Sequence, residues 1–291
     1  MKILIAEDDP VSRLKLQRML ERWDYELVIC EDGEEAWERI NQPDAPQMMV
    51  LDWMMPGMDG VEICARVREL RMEPYAYIIL LTSKSGSENL VEGMDAGADD
   101  FITKPFDPHV LKVRLRAGER IVTLNQKLIE TRNALQVQAT HDAMTGLWNR
   151  IAILGQLQKE IARAERTGKG MCVAMMDIDH FKKINDTYGH IAGDVVLEEI
   201  SERMKSVLRP YDSVGRYGGE EFLIILADWH DIDPIDHFER IRESIEETEV
   251  CTTSHSISVT ASFGICLVDD SNGITSQTLI RTADEALYRA K

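Results

Sequence analysis

Short apolar segments alternate with amphipathic ones over the first 120 residues of the chain. The apolar runs end in Asp, Glu, Thr or Lys side chains, and the segments between them repeat apolar positions every three or four residues, which is typical of helices. Strands that alternate with helices predict a doubly wound parallel sheet, with its functional side chains at the carboxyl ends of the strands. The predicted strands are 3–6, 48–51, 77–81 and 101–102, and the predicted helices are 11–23, 33–41, 61–70 and 88–96.

The pattern changes after residue 141, where strands and helices no longer alternate regularly and an α+β sheet domain is predicted. Gly218-Gly219 lies between two apolar half-strands, so we expect a hairpin in which both glycines adopt positive φ. The acids Glu220 and Glu221 follow the turn at once. The predicted strands are 171–176 and 257–265, the hairpin covers 213–226, and the predicted helices are 195–208 and 235–247.

Residues 107–140 keep a helical pattern that no Gly-Pro pair interrupts. Apolar residues recur there at alternating steps of three and four, which predicts a short parallel coiled coil and therefore a homodimer. The alternative is a single amphipathic helix packed on one domain. We predict a first domain over 1–120, a connector helix over 107–140 that overlaps its last helix, and a second domain over 141–291. The seam consists of Ile121, Leu124, Leu128 and Leu135, with Thr131 and Gln138 at intervening positions.

The composition limits which binding partners and which cellular compartment we expect. The net charge of −18 argues against a nucleic-acid partner, because phosphate contacts need clustered cations. No apolar run reaches membrane-spanning length, and the first residues read as a strand rather than a signal peptide. The five cysteines are scattered, odd in number and without a C-x-x-C pair, which favours free thiols in a reducing cytoplasm.

The predicted strand ends of the first domain resemble the receiver domain of response regulators. Within L-D-W-M-M-P-G-M-D-G, the resemblance makes Asp52 the phosphoacceptor, with a histidine kinase as partner and Lys104 as a contact to the phosphoryl group. Glu7, Asp8 and Asp52 would form an acidic pocket at these strand ends. Clustered carboxylates repel one another unless a hard cation lies among them, so Mg²⁺ fits this pocket. Taken singly, these acids are also typical of ordinary strand ends and turns. The resemblance further implies a Mg²⁺ site of Glu7, Asp8, Asp52 and the Met54 carbonyl, and a switch pair of Thr82 and Phe101.

Four motifs of the second domain resemble the GGDEF family of diguanylate cyclases, here in its GGEEF form. The resemblance implies a fold like that of nucleotidyl cyclases and a reaction that joins two GTP molecules into cyclic di-GMP and two pyrophosphates. Assembly from two GTP molecules is simplest between the facing sites of a dimer. The motifs are H-D-A-M-T-G-L-W-N-R at 141–150, D-I-D-H-F-K-K-I-N-D-T-Y-G-H-I-A-G-D at 177–194, G-G-E-E-F at 218–222 and A-D-E-A-L-Y-R-A-K at 283–291.

The same resemblance assigns the catalytic acids. Asp177, the Ile178 carbonyl and Glu220 offer hard oxygens that suit Mg²⁺, with Mn²⁺ as a substitute. Two such ions would clamp the triphosphate during in-line attack by a 3′-hydroxyl. Glu220 would also deprotonate that hydroxyl, and Glu221 would be a catalytic residue that supports metal binding.

The substrate contacts also follow from the family pattern. Asn185 and Asp194 would bind guanine, because an amide and a carboxylate match the edge of that base and adenine lacks the donor pair. The family continues past A-K with a G-R-N segment, so one phosphate-binding arginine is either missing or lies beyond the sequence that ends at Lys291. The further predicted substrate contacts are Phe181, Lys182, Arg216 and Lys291.

Arg209-Pro210-Tyr211-Asp212 lies just upstream of the hairpin and resembles the inhibitory R-x-x-D site of the family. Arg209 would bind the phosphates and guanine edge of cyclic di-GMP, and Asp212 would accept from guanine, which predicts product inhibition. Two alternatives remain open: a catalytically weak receptor that signals by binding GTP or cyclic di-GMP, and a dimerisation scaffold driven by phosphorylation. The retained acids favour the enzyme, because a receptor need not keep metal ligands.

Overall fold

The computed structural model describes residues 1–70, 73–83, 91, 93–228, 233–252, 255–269 and 273–291. The chain divides into two compact units, Met1–Asn133 and Ala134–Lys291, and each contains its own apolar cores. Within the described residues, no helix combines the length and the apolar character needed to span a membrane.

A parallel sheet organises the first unit. Among the described residues its strand order is β2-β1-β3-β4-β5, which is the flavodoxin-like, doubly wound arrangement that the sequence predicted. The edge strand β2 was not predicted, although residues 27–30 form an apolar run; in the structure only Val28 and Cys30 of the strand are buried. The strands are β1 (Lys2–Ala6), β2 (Glu26–Cys30), β3 (Met48–Asp52), β4 (Tyr77–Thr82) and β5 (Asp100–Thr103).

The first three helices begin behind aspartates. The carboxylates of Asp9, Asp32 and Asp59 accept from backbone N–H groups three residues on, at 2.7 or 2.8 Å. Such caps contribute about 1 kcal/mol each. Of the predicted helix over 88–96, residues 88–90 and 92 lie outside the described residues, and residues 91 and 93–95 are helical. The helices are α1 (Pro10–Glu21), α2 (Gly33–Ile40) and α3 (Gly60–Glu69).

Helix α4 (Pro108–Thr140) is continuous, as the connector pattern predicted. One face, which contains Leu111, Leu115 and Val122, is buried in the core of the first unit. The predicted coiled-coil seam is on exposed positions, where Leu124 and Leu128 are 56% and 66% accessible. A seam that stays exposed in the single chain is available to a second copy, so the homodimer stays a prediction.

The second unit is an α+β domain around an antiparallel sheet of order β11-β6-β8-β7. All eight residues of β6 are buried, which makes it the apolar centre of the domain. The strands are β6 (Met171–Ile178), β7 (Ser213–Gly218), β8 (Glu221–Ala227), β9 (Val250–Cys251), β10 (Ser256–Ile257) and β11 (Ala261–Val268). The helices are α5 (Arg150–Thr167), α6 (Phe181–Tyr188), α7 (His190–Val207), α8 (Pro234–Glu246) and α9 (Ser276–Ala290).

Two local predictions for this unit were wrong. The predicted strand 257–265 is divided, because β10 pairs with β9 and β11 pairs with β6. The hairpin forms, but its two connecting residues are Gly219 and Glu220, and neither Gly218 nor Gly219 has positive φ. A shift in register between Arg216 and Gly218 extends β7 through the first glycine and moves the turn one residue along the chain.

Candidate functional site

Two carboxylates meet where β6 ends and β8 begins. Asp177 and Glu221 are directly opposite each other in the antiparallel register, and Asp177 is 7% exposed. We had predicted Glu220 as the partner of Asp177, but Glu220 is in the turn, where its carbonyl accepts from the Ile178 N–H at 3.4 Å. Successive strand residues point to opposite faces, so a shift of one residue changes which acid meets Asp177.

A lysine forms an ion pair with one of the acids at this edge of the sheet. Lys291 follows α9, and its Nζ lies 2.6 Å from Oδ1 of Asp177. A cavity of about 620 Å³ opens beside the pair and is also lined by Glu221, Asp284 and Tyr288. The predicted phosphate contact Lys291 therefore lies in the same cavity as the acids, on a side chain that is 43% exposed.

The electrostatics of this edge favour a bound cation. Burial raises the pKa of Glu221, and the negative charges of Asp177, Asp284 and Glu220 raise it further, while Lys291 opposes them. Carboxylates that disfavour one another's charge are stabilised by a hard cation, and carboxylate and carbonyl oxygens are the ligands that Mg²⁺ prefers. The donor set of Asp177, Glu221 and the Ile178 carbonyl thus fits the ion that the sequence implied.

Arg216 holds the hairpin turn in place. Its Nε donates to the Gly219 carbonyl at 2.9 Å, and its Nη1 donates to Oδ1 of Asp142 at 3.2 Å. Although burial acts to raise it, hydrogen bonds from Thr145 and Arg216 hold the pKa of Asp142 below its ordinary value. We predicted Arg216 as a substrate contact, whereas its partners here belong to the turn and to the opening motif. Sequence reasoning missed Asp142, although it is the acid of that motif.

The predicted guanine contacts belong to two consecutive helices. Asn185 is on α6, and Asp194 is an exposed residue of α7. A Cβ on Gly193 would lie only 2.0 Å from Oδ1 of Asn185, so the absence of a side chain at Gly193 leaves the space that the Asn185 amide occupies. The structure therefore brings the Asn185 amide against the residue that precedes Asp194. Of the other predicted contacts on α6, Phe181 is buried and Lys182 is exposed.

The R-x-x-D loop, residues 209–212, is shaped by its own aspartate. The side chain of Asp212 is 2% exposed, and its carboxylate accepts from the backbone N–H groups of Arg209 at 3.0 Å and Ala227 at 3.4 Å. The Arg209 guanidinium donates to the Tyr211 hydroxyl at 2.9 Å. We expected Asp212 to accept from guanine, but in this structure its carboxylate is buried and fixes the loop that carries Arg209.

The receiver residues converge at the carboxyl ends of β1, β3 and β5. Lys104 Nζ lies 2.9 and 2.7 Å from the two oxygens of Glu7 and 3.0 Å from Oδ2 of Asp52. Within the described part of the chain, Glu7, Asp8 and Asp52 are the one group of three metal-type side chains whose ligand atoms lie within 4.8 Å of one another. Three carboxylates at this spacing fit Mg²⁺.

The pKa of Glu7 in the receiver site is raised. Burial is the main cause and the negative charge of Asp52 adds to it, while hydrogen bonds from Lys104 oppose the rise. The predicted switch residues also fall at the sheet edge, since Thr82 ends β4 fully buried and Phe101 is half-buried on β5. Met54, whose carbonyl was a predicted ligand, follows β3 with a side chain that is 63% exposed.

Comparison with known protein families gives the class. The model for "Diguanylate cyclase, GGDEF domain" matches residues 139–291, and the model for "Response regulator receiver domain" matches residues 3–116. The chain belongs to the GGDEF family and begins with a receiver domain, as its motifs predicted. A relative that matches across both domains of this chain is response regulator PleD of Caulobacter vibrioides, which is 30% identical over 293 residues. That match covers all of this chain and 63% of PleD.

Solved structures resemble the second unit. The coiled coil and GGDEF domain of DgcB from Caulobacter crescentus, in complex with c-di-GMP, has a TM-score of 0.53 at 30% identity and matches 61% of this chain and 92% of that one. The diguanylate cyclase SiaD from Pseudomonas aeruginosa, in complex with its activator SiaC, has a TM-score of 0.50 at 39% identity and matches 62% of this chain and 70% of that one.

Proposed function

We propose that this protein is a phosphorylation-regulated diguanylate cyclase that joins two GTP molecules into cyclic di-GMP and releases two pyrophosphates. The observation that carries the proposal is the pair of acids at the sheet edge, Asp177 opposite Glu221, inside a cavity that Lys291 closes. The GGDEF family membership and the cyclic di-GMP in the DgcB structure support the same reaction.

The proposed chemistry consists of two equal transfers. The 3′-hydroxyl oxygen of one GTP attacks the α-phosphorus of the other, a P–O bond forms, and the bond to pyrophosphate breaks. The second transfer closes the ring. We propose that Asp177, Glu221 and the Ile178 carbonyl hold Mg²⁺ or Mn²⁺, which when bound neutralises phosphate charge. Glu220 is our candidate to accept the hydroxyl proton, because it lies in the turn beside the acid pair.

Substrate selection and product inhibition follow from the neighbouring elements. Asn185 and Asp194 are the proposed guanine contacts, with Lys182 and Lys291 for the phosphates. Lys291 lies 2.6 Å from Asp177, so a triphosphate that binds there with its cation would draw the ammonium toward phosphate oxygens. Arg209 is the proposed anchor of cyclic di-GMP at a separate inhibitory site.

Regulation is proposed to begin at Asp52. A histidine kinase would transfer a phosphoryl group to Asp52, where Lys104 is already within 3.0 Å and the acidic cluster can hold Mg²⁺. Rearrangement of Thr82 and Phe101 would then alter how two copies associate through the exposed seam of α4. Two GTP-loaded domains must face each other to make one product, so this association would control turnover.

Product analysis tests the proposal. The purified full chain would be incubated with GTP and Mg²⁺, with and without beryllium fluoride as a phosphoryl mimic, and nucleotides would be separated and identified by mass spectrometry. We expect cyclic di-GMP whose yield rises with the mimic, and Asp52→Asn as a matched control should remove that rise alone. Tight GTP or cyclic di-GMP binding without product under either condition would contradict the enzyme and support a receptor.

A further inference from the structure

A buried histidine lies behind the R-x-x-D loop. His237 is on α8 and is 3% exposed, and its Nε2 has no hydrogen-bond partner among the described residues. Buried polar atoms are normally paired, because an unpaired one forfeits the hydrogen bond that it made with water. The position of His237 therefore requires an explanation that neither the catalytic acids nor the receiver provides.

The nearest carboxylate to this nitrogen belongs to the loop itself. Nε2 of His237 lies 3.8 Å from Oδ2 of Asp212, which is longer than a hydrogen bond. Oδ2 is the same oxygen that accepts from the Arg209 N–H, and Oδ1 accepts from Ala227. A small movement of the His237 ring toward Asp212 would thus affect the carboxylate that holds the backbone of Arg209 in place.

Three charged groups act on the imidazole. Asp212 favours its protonated form, while Arg209 from the loop and Arg240 from its own helix oppose it. Burial is the largest influence and lowers the pKa of His237, so the ring is neutral at neutral pH. The other elements packed on α8 include α7 and β11, and no charged group of their described residues acts appreciably on the ring.

We propose that His237 is a positioning residue of the cyclic di-GMP site, where its protonation pairs it with Asp212 and strengthens product binding by Arg209. The inference rests on the proposed inhibitory site. An imidazolium would close the 3.8 Å gap and neutralise the Asp212 carboxylate, which otherwise offsets the positive charge of Arg209. The dianionic product would then meet one more net positive charge.

The sign of the pH effect follows from reciprocity. A dianion bound beside His237 favours the charged ring and raises its pKa, so acidification must strengthen binding of that dianion to the same extent. One linked proton limits the change in affinity to about tenfold per pH unit. Between about pH 7.5 and about pH 5.5 we therefore expect cyclic di-GMP to bind roughly three- to tenfold more tightly.

Calorimetry on the full chain tests this inference with cyclic di-GMP as the titrant and no GTP present. The wild type should gain affinity on acidification, whereas His237→Gln, which keeps an amide of similar reach and cannot be charged, should change by less than about twofold. His237→Gln should also keep the wild-type kcat at low product concentration, since His237 lies outside the catalytic cavity. A wild-type pH dependence that survives in His237→Gln would assign the proton to Asp212 and overturn the proposal.

Two controls distinguish an error in the role of His237 from an error in the location of the inhibitory site. If Arg209→Ala binds cyclic di-GMP as tightly as the wild type, the product site itself is misplaced. If Arg209→Ala loses binding but His237→Gln follows the wild-type pH profile, only the role of His237 is refuted. Nuclear magnetic resonance of the wild type, with labelled histidines, needs no variant: the pKa of one buried ring should rise when product is added, and an unchanged value would refute the coupling.

Discussion

Replacing Gly193 by Ala should separate GTP recognition from folding. The new Cβ would lie 2.0 Å from Oδ1 of Asn185, a contact that real side chains do not tolerate. The obstructing atom is the end of a short side chain, so the Asn185 amide can turn away while the backbone of α7 stays in place. We therefore expect the domain to fold and the proposed guanine contact to be lost.

The substitution should leave the stability of the fold nearly unchanged but weaken GTP binding. Alanine is favoured over glycine within a helix by up to about 1 kcal/mol, which offsets the cost of moving Asn185. Loss of a hydrogen bond to a desolvated base costs about 1 to 3 kcal/mol, which corresponds to a rise in KM for GTP of roughly five- to 150-fold. Thermal stability should thus stay near that of the wild type while KM rises.

Steady-state kinetics with GTP and thermal melting measure both quantities. Gly155→Ala is a matched control, because Gly155 is within α5 of the same unit and a Cβ there has no atom within 4 Å among the described residues. It should gain stability without a change in KM. Asn185→Ala should reproduce the KM of Gly193→Ala, and the double variant should be no worse than either. A folded Gly193→Ala protein with wild-type KM would refute the role of Asn185.

Three further outcomes follow from the same geometry. Glu221→Gln should lower kcat at least about a hundredfold at an unchanged melting temperature, and activity within tenfold of the wild type would contradict the register-based pairing with Asp177. Because burial and then Asp177 raise the pKa of Glu221 in the metal-free site, Mg²⁺ binding should release protons and weaken on acidification; a Mg²⁺ affinity that stays flat down to about pH 4 would refute this. Arg216→Lys should reduce kcat roughly tenfold, because one ammonium cannot reach both Gly219 and Asp142 as the guanidinium does. A kcat equal to that of the wild type would show that catalysis does not depend on these two contacts.

Some features of the fold were predictable because they depend on neighbours in sequence. Continuous apolar runs identified β1, β3, β4 and β6, since strands buried on both faces need apolar residues at every position. The edge strand β2 was not predicted, although residues 27–30 form an apolar run as well. Only Val28 and Cys30 of that run are buried, and the strand is identified by its parallel pairing with β1.

The site was predictable to within one residue. The motifs located Asp177 at a strand end and two glutamates at a turn, but they did not decide which glutamate meets Asp177. That choice depends on the register of β6 against β8, which places Asp177 opposite Glu221, 44 positions later in the chain. The burial of the Asp212 carboxylate against His237 was equally invisible, because α8 is distant from the loop in sequence.

The sequence by itself determined which residues can do chemistry: the acids at strand ends, the lysines, the GGEEF run and the exposed seam of α4 are all set by local pattern and motif. Only the tertiary structure decided which of these side chains meet. Strand register and the position of α8 behind the R-x-x-D loop come from packing between segments that are apart in the chain. The approach of α6 to α7 at Gly193 comes from how two consecutive helices pack. Such packing depends on the shape of whole surfaces, and that information is not carried by any single stretch of sequence.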